Sequence, residues 1–143
     1  MSSAAFIIQA DGGSRGNPGP AAYGTVVSDA VSGDVLAEFG EFFEHATNNF
    51  AEYRGAIAGL EYVHGRNPDA RVEVRLDSKL VVEQMSGRWK IKSDDIRHLA
   101  LRARDAHDPS LVTYTWVPRE QNARADGIVN EVLDAALGGG SRE

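Results

Sequence analysis

The sequence predicts an α/β fold in which a five-stranded mixed sheet, with three antiparallel strands and two parallel strands, is flanked by helices. Three short β-prone segments come first and are joined by short turns, which is typical of antiparallel neighbours. Helical and strand-like periods then alternate to the end of the chain, which favours parallel strands joined by right-handed crossovers. With 143 residues, 42% hydrophobic and 25% charged, the chain has the size and composition of one packed domain.

Five strands are predicted from composition, from alternation and from the turn residues between them. Ala5–Asp11 is apolar, Ala21–Ser28 contains aromatic and β-branched residues, and Val35–Phe43 follows a Ser-Gly-Asp turn. Arg71–Asp77 alternates strictly between apolar and polar residues, and a last strand is expected over Leu111–Val117. The long connections after the third strand indicate that the last two strands join the sheet in parallel.

Four helices are predicted between and after these strands. The first covers about Phe50–His64 with Asn49 as its N-cap, and a short second helix covers Ser78–Met85. Ser93 caps the third helix, and the fourth runs over about Ala123–Leu137. The residues of the fourth helix that are expected to face inward are Ala125, Ile128, Val129, Val132 and Ala136.

The composition excludes several classes of site. The chain has no cysteine, which rules out disulfides, thiolate zinc sites, iron–sulfur clusters and cysteine nucleophiles. A metal would have to be held by carboxylates, imidazoles or carbonyls, and carboxylates favour Mg²⁺ or Mn²⁺. The formal net charge is −6, so bulk attraction alone would not hold the chain on nucleic acid.

The domain organisation is expected to be simple. We expect one domain over residues 1–137 and a Gly-rich flexible tail or linker over residues 138–143, which is compatible with a fused C-terminal domain beyond residue 143. The sequence has neither a basic, apolar signal-like start nor an apolar run long enough to span a membrane. We therefore expect a cytoplasmic protein that has no membrane partner, and the lack of an obvious extra apolar stripe favours a monomer.

Four acidic residues stand at the ends of predicted elements. Asp11 and Asp77 end the first and fourth strands, and Glu52 and Asp126 lie in the first turns of the first and last helices. Because the carboxyl ends of parallel strands meet at one edge of a sheet, these acids could come together there. Clustered acids repel one another unless a cation lies between them. Each acid alone also has an ordinary explanation as a turn residue or as a partner of a helix dipole.

The residues around the four acids form motifs that, taken together, are more specific than the spacing of the acids alone. DGGSRGNPGP begins at Asp11, TNNFAE ends at Glu52, and Asp-Ser begins at Asp77, while Asn122 lies four residues before Asp126. Over nearly the whole chain this order closely resembles type 1 ribonuclease H. The resemblance implies a ribonuclease H-like fold and an endonuclease that hydrolyses the RNA strand of RNA–DNA hybrids, leaving 5′-phosphate and 3′-hydroxyl ends.

The resemblance also implies a metal site that is both catalytic and metal-binding. The family holds two Mg²⁺ or Mn²⁺ ions on an Asp-Glu-Asp-Asp set, which this sequence matches at Asp11, Glu52, Asp77 and Asp126. One ion would activate water and the other would stabilise the leaving 3′ oxygen. No protein nucleophile is needed, which suits a chain without cysteine.

Residues that would contact the hybrid are carried over in the same way. The 2′-hydroxyls of RNA lie in a wide minor groove, where a side-chain amide can serve as donor and acceptor. The same asparagines and glycines would also suit a hairpin loop and a helix cap, and for Asn49 both explanations are expected to hold. The expected substrate-binding residues are Gly12, Gly13, Asn17, Thr47, Asn48, Asn49, Trp89, Arg119 and Asn122.

Two features depart from the family pattern. Only Arg88–Lys92 separates Gly87 from the cap of the third helix, too short for the basic protrusion of many relatives, so we expect weaker and more salt-sensitive hybrid binding. Trp89 would stack on a DNA sugar or pack at the edge of the core. Relatives often place a histidine before the last acid, where this chain has Arg119, which could steady a phosphate but cannot shuttle protons at neutral pH, or could simply be an exposed loop residue.

Three other functions are compatible with parts of this pattern. A different nuclease or strand-transfer protein could use the same sheet and acids, although the asparagine motifs argue against that class. A non-catalytic hybrid-binding module of a larger multidomain protein would not need all four acids. A structural Ca²⁺ site would need a denser run of oxygen ligands than the sequence offers. Activity on double-stranded RNA, the preferred metal and the cellular hybrids are left open.

Overall fold

The computed structural model of the chain describes residues 4–138. Five strands and four α-helices follow one another along the chain, together with two short 3₁₀ turns at Pro109–Leu111 and Arg119–Asn122. The elements are β1 (Ala5–Ser14), β2 (Gly19–Asp29), β3 (Val35–Ala46), α1 (Asn48–Arg66), β4 (Arg71–Leu76), α2 (Lys79–Met85), α3 (Asp94–Ala106), β5 (Val112–Trp116) and α4 (Ala123–Ala136).

The sheet is mixed and has the strand order β3-β2-β1-β4-β5. β1 pairs antiparallel with β2, and β2 pairs antiparallel with β3. β4 lies parallel to both β1 and β5. The predicted α/β class, with three antiparallel and two parallel strands flanked by helices, is therefore confirmed.

Helices cover both faces of the sheet. Alternate residues of β2 contact α1 on one face and α4 on the other. Tyr23 and Thr25 face α1, where the Thr25 hydroxyl donates a 2.8 Å hydrogen bond to the Gly55 carbonyl. The main core lies on this face between the sheet, α1 and α3. On the other face, Ala22 packs against Val129 and Leu133 of α4.

Gly24 lets α4 approach the sheet closely. A Cβ atom at Gly24 would lie 2.3 Å from the Ala125 carbonyl oxygen, so the helix backbone rests directly on β2. This close approach carries the first turn of α4, with Asp126, toward the end of β1.

Several predicted boundaries and contacts are wrong in detail. α1 begins at Asn48, because the hydroxyl of Thr47 accepts the Phe50 N–H and caps the helix; Asn49 is thus not the N-cap. The earlier start moves Glu52 from the first turn into the second. Ala136, expected to face inward, is exposed in the last turn of α4, and Leu133 is buried instead.

The structure bears only in part on two further expectations, the Gly-rich tail and the lack of a membrane span. Residues 139–143 of the expected Gly-rich tail lie outside the described residues. Over residues 4–138, none of the helices combines the length and the apolar character needed to cross a lipid bilayer.

Candidate active site

Asp11 and Asp77 meet at the carboxyl edge of the parallel strands. β1 and β4 are in parallel register up to Gln9 opposite Arg75. Two residues further along each strand, this register brings Asp11 beside Asp77, as the strand assignment predicted.

Glu52 reaches the same edge because α1 packs directly on β1. A Cβ atom at Gly12 would lie only 2.3 Å from the backbone nitrogen of Glu52, so any residue larger than glycine would push the helix away. Glycine at this position therefore brings the second turn of α1 against the strand end. The Glu52 carboxylate accepts a hydrogen bond from the Ser78 N–H at the start of α2.

The three carboxyl groups form a compact and largely buried cluster. Asp11, Glu52 and Asp77 each offer an oxygen, and these oxygens all lie within 4.8 Å of one another. Asp11 is 5% exposed and Glu52 is 3% exposed. Glu52 Oε2 and Asp77 Oδ2 are buried without a hydrogen-bond partner, which is costly for a polar atom.

Burial and mutual repulsion make these acids hard to ionise. Burial, followed by the charges of Asp77 and Asp126, raises the pKa of Asp11 from 3.8 to about 8. Burial and the charges of Asp11 and Asp77 raise the pKa of Glu52 well above its ordinary value. Burial also raises the pKa of Asp77, against the opposing effects of the Arg119 charge and a hydrogen bond with Asp11.

Asp126 flanks the cluster and is not part of the compact group of three. It lies in the first turn of α4, and its carboxyl group is within hydrogen-bonding reach of that of Asp11. The structure thus brings all four predicted acids to one place: three form the compact cluster, and Asp126 contacts one of them, Asp11.

The cluster fits a hard divalent cation. All donors are carboxylate oxygens, which suit Mg²⁺ and Mn²⁺. A cation would satisfy the unpartnered oxygens of Glu52 and Asp77 and would lower the cost of ionising Asp11.

The predicted asparagine motif forms a connected surface beside the acids. The Asn17 side-chain oxygen accepts the Asn48 N–H at 3.0 Å, and the Ser14 hydroxyl donates to the Asn48 side-chain oxygen at 2.7 Å. Asn17, Thr47 and Asn48 are exposed. Within residues 4–138, the side-chain NH₂ groups of Asn17 and Asn48 have no hydrogen-bond acceptor, so these exposed donors are available to a ligand.

Asn122 is buried beneath the acid cluster and binds the backbone of β1 next to Asp11. Its side chain is fully buried and donates a 2.8 Å hydrogen bond to the carbonyl of Ala10, the residue before Asp11. Its other side-chain atom, Oδ1, is buried without a partner. The observed contact makes Asn122 a positioning residue, and substrate contact by this residue stays a prediction.

Trp89 lies on the surface, 47% exposed, beside a groove of about 670 Å³ between α2, α3 and β5. Arg88 of the same turn pairs with Glu83 at 2.6 Å, while the walls of the groove carry Arg97 and Arg104. This half-exposed position is compatible both with stacking on a DNA sugar and with packing at the edge of the core, so the predicted ligand contact of Trp89 stays a prediction.

Two residues at the site were missed by the sequence analysis. The Trp116 indole N–H donates a 3.2 Å hydrogen bond to the carbonyl oxygen of Asp77, and its ring is 49% exposed. The backbone N–H of Ser78 binds Glu52. Trp116 ends β5 beside the end of β4, so its contact with Asp77 follows from strand pairing and not from the residues around it in sequence.

Sequence comparisons connect this site to known proteins. A family model described as reverse transcriptase-like matches residues 9–132. A bifunctional protein of Mycobacterium tuberculosis is 51% identical over 131 residues, which cover 91% of this chain and 36% of that protein. A ribonuclease HI of Halobacterium salinarum is 46% identical, with coverage of 88% of this chain and 63% of that protein. The chain thus spans little more than a third of its mycobacterial relative.

Solved structures are similar over nearly the whole chain. The N-terminal ribonuclease H domain of the mycobacterial protein, solved as a fusion with maltose-binding protein, has a TM-score of 0.88 and 48% identity, covering 97% of this chain and 100% of that one. LC11 ribonuclease H1, solved in complex with an RNA/DNA hybrid, has a TM-score of 0.84 and 40% identity, covering 92% and 99%.

Proposed function

The chain belongs to the type 1 ribonuclease H family, and from that premise we propose that it is an endonuclease that hydrolyses the RNA strand of RNA–DNA hybrids. The observation that carries the proposal is the buried cluster of Asp11, Glu52 and Asp77, with two carboxylate oxygens left without partners. The hybrid bound to LC11 ribonuclease H1 supports the substrate class.

The four acids would hold Mg²⁺ or Mn²⁺, with two ions expected. When bound, divalent cations supply an activated water and stabilise the charge on the leaving 3′ oxygen. Glu52 and Asp77 contribute buried oxygens that have no other partner, and Asp126 completes the set beside Asp11. Hydrolysis with loss of the 3′ oxygen would leave 5′-phosphate and 3′-hydroxyl ends.

The exposed surface formed by Ser14, Asn17 and Asn48 would bind the RNA strand of the hybrid. The free side-chain NH₂ donors of Asn17 and Asn48 suit 2′-hydroxyls in the minor groove. Gly12 and Gly13 would contact the hybrid only through their backbone, since a Cβ atom at these positions would face α1 and α4. Asn49 and Thr47 lie at the same helix start, where Thr47 would contact a phosphate in addition to capping α1. Trp89 would contact the DNA strand through its exposed ring.

Arg119 would steady a phosphate at the edge of the acid cluster. Its charge lowers the pKa of Asp77, so the guanidinium group lies close enough to act on the site. Because arginine does not lose its proton at neutral pH, Arg119 would act by charge and not as a proton shuttle.

The remaining sequence predictions stay predictions. They are a single domain over residues 1–137, a linker-like tail after it, a fused domain beyond residue 143, a monomeric state, a cytoplasmic location and weak, salt-sensitive hybrid binding. The last is checked by titrating hybrid affinity against salt, where tight binding with a flat slope would contradict it.

The experiment that tests the proposed function uses end-labelled RNA in an RNA–DNA hybrid on a denaturing gel. The chain is incubated with the hybrid in Mg²⁺, in Mn²⁺ or in EDTA, beside Asp77→Asn and with duplex DNA and single strands as other substrates. Internal RNA cuts that require metal and disappear in the variant support the proposal. Intact RNA despite measurable hybrid binding would favour the non-catalytic module instead.

A further inference from the structure

A histidine pair lies at the amino end of β4, far from the carboxylates. His64 is in the last turn of α1, and His107 directly follows α3. Their Nδ1 atoms are 3.2 Å apart, and their rings are nearly perpendicular, with centroids 5.3 Å apart. His107 binds Ala70 just before β4, and the strand between Ala70 and Asp77 spans on the order of 20 Å.

The hydrogen bond of His107 to the backbone determines which of its nitrogens is free. His107 Nε2 lies 2.8 Å from the Ala70 carbonyl oxygen, and a carbonyl can only accept, so Nε2 carries the hydrogen. In the neutral imidazole, Nδ1 of His107 then carries a lone pair, and this atom faces Nδ1 of His64. Metal-binding histidines typically donate their second ring nitrogen to a backbone carbonyl in this way.

The spacing of the two Nδ1 atoms matches a shared metal ion. Two nitrogens bound to one tetrahedral Zn²⁺ at 2.0–2.1 Å are about 3.4 Å apart, close to the 3.2 Å found here. His107 is only 2% exposed and therefore held in place, whereas His64 is exposed and can make the small adjustment.

We propose that His64 and His107 form a binding site for one transition-metal ion of the Zn²⁺ type. Imidazole nitrogen selects Zn²⁺, Ni²⁺ or Cu²⁺ over Mg²⁺, so this site differs in chemistry from the carboxylate cluster. Within residues 4–138, no third carboxylate or imidazole joins the pair closely enough to be a ligand, so water completes the coordination and the affinity is modest.

The bound ion links three elements. In the metal-free protein the Nδ1–H of His64 donates to Nδ1 of His107. On metal binding this hydrogen leaves Nδ1 and a proton is taken up at Nε2 of the exposed His64 ring, so both ligands are neutral imidazoles that bind through Nδ1. The ion then joins the end of α1, the start of β4 and the end of α3 through His107 and its Ala70 contact. Because the unfolded chain lacks this pairing, binding stabilises the folded state.

The test is calorimetric titration of the tag-free chain with ZnCl₂ in the presence of millimolar Mg²⁺, which competes for the carboxylates. His64→Ala removes one ligand, and His98→Ala removes an exposed histidine of α3 as the matched control. We expect one Zn²⁺ per chain, at least about tenfold weaker binding in His64→Ala, and unchanged binding in His98→Ala. Zn²⁺ should raise Tm in the chain and in the control but much less in His64→Ala.

Two further measurements keep the outcome decisive. Asp77→Asn should retain the Zn²⁺ site, and the ¹⁵N signals of His64 and His107 should shift on Zn²⁺ addition. Equal Zn²⁺ affinity in the chain and in His64→Ala, loss of binding in Asp77→Asn, or histidine signals that do not respond would each overturn the proposal. If His64→Ala does not fold, His64→Gln replaces it, since glutamine can still donate to His107.

Discussion

The two ends of β4 differ in whether the buried polar atoms near them have hydrogen-bonding partners. At the amino end, both ring nitrogens of His107 have hydrogen-bonding partners, so its buried polar atoms are satisfied. At the carboxyl end, Glu52 and Asp77 each bury an oxygen without a partner, and the pKa values of the acids are raised. The histidine end therefore stabilises the metal-free fold, whereas the carboxylate end opposes it until a cation binds.

The largest effect is expected from Asp77→Asn, which breaks the carboxylate end. We expect kcat for hybrid cleavage to fall by about a thousandfold, since a metal ligand supports several kcal/mol of transition-state stabilisation. In EDTA the same change should raise Tm, because it removes one of the mutually repelling acids. Cleavage kinetics and thermal melts measure the two outcomes.

Asp69→Asn is the matched control, since Asp69 is an exposed acid near the amino end of the same strand. It should change neither kcat nor the response of Tm to EDTA. If Asp69→Asn reduced activity as much as Asp77→Asn, the contrast between the two ends would be lost.

The metal-free protein should lose stability as the pH rises. The pKa of Asp11 is 3.8 in the unfolded chain and about 8 in the folded one, so between these values the folded state holds a proton that the unfolded state has released. The free energy of unfolding in EDTA therefore falls from about pH 4 toward pH 8. Mg²⁺ should reverse the trend, because it binds the deprotonated acids.

Melts across this pH range, with EDTA or with Mg²⁺, measure the effect, and Asp11→Asn is the control that isolates the contribution of this residue. A slope in EDTA that is the same in Asp11→Asn would show that Asp11 is not the group responsible.

Gly12→Ala tests how the acids are brought together. The added Cβ would lie 2.3 Å from the Glu52 nitrogen, so α1 must move from β1, at a cost of about 1–3 kcal/mol in unfolding free energy and with a loss of cleavage. Gly65→Ala, in open space on the same helix near its other end, should instead be neutral or stabilise by up to about 1 kcal/mol. Urea unfolding distinguishes them, and equal effects would contradict the close approach at Gly12.

The smallest effect is expected from Arg119→Ala, which tests whether the Arg119 charge contributes to the carboxylate end. Loss of one charged contact to phosphate should lower kcat about tenfold. The pH profile of cleavage should also shift upward, because Arg119 lowers the pKa of Asp77. Arg71→Ala, at the amino end of β4, should leave both unchanged. An unaltered turnover in Arg119→Ala would remove its proposed role.

The sequence analysis predicted the order of elements and the meeting of Asp11 with Asp77, because strand periodicity and parallel register are visible in the residues themselves. It placed Asn49 at the helix cap, whereas β3 runs to Ala46 and leaves Thr47 as the cap. Such an error of two residues reflects competition between neighbouring Thr and Asn side chains for the same role, which propensity alone does not decide.

The burial of Asn122 and the contact of Trp116 with Asp77 had no local signal of comparable strength. The amide of Asn122 reaches Ala10, 112 residues away in sequence, and the indole of Trp116 reaches across 39 residues. Both depend on which strands lie side by side, so neither could be derived from the residues around them.

The sequence by itself determined the fold class, the four acids and the absence of thiol chemistry, since periodicity, residue type and motif order are properties of the chain alone. Only the tertiary structure decided that Glu52 and Asp77 keep buried oxygens without partners and that His64 meets His107, 43 residues away. Hydrogen-bond satisfaction and desolvation depend on which groups surround an atom in space, and packing between distant segments sets those surroundings.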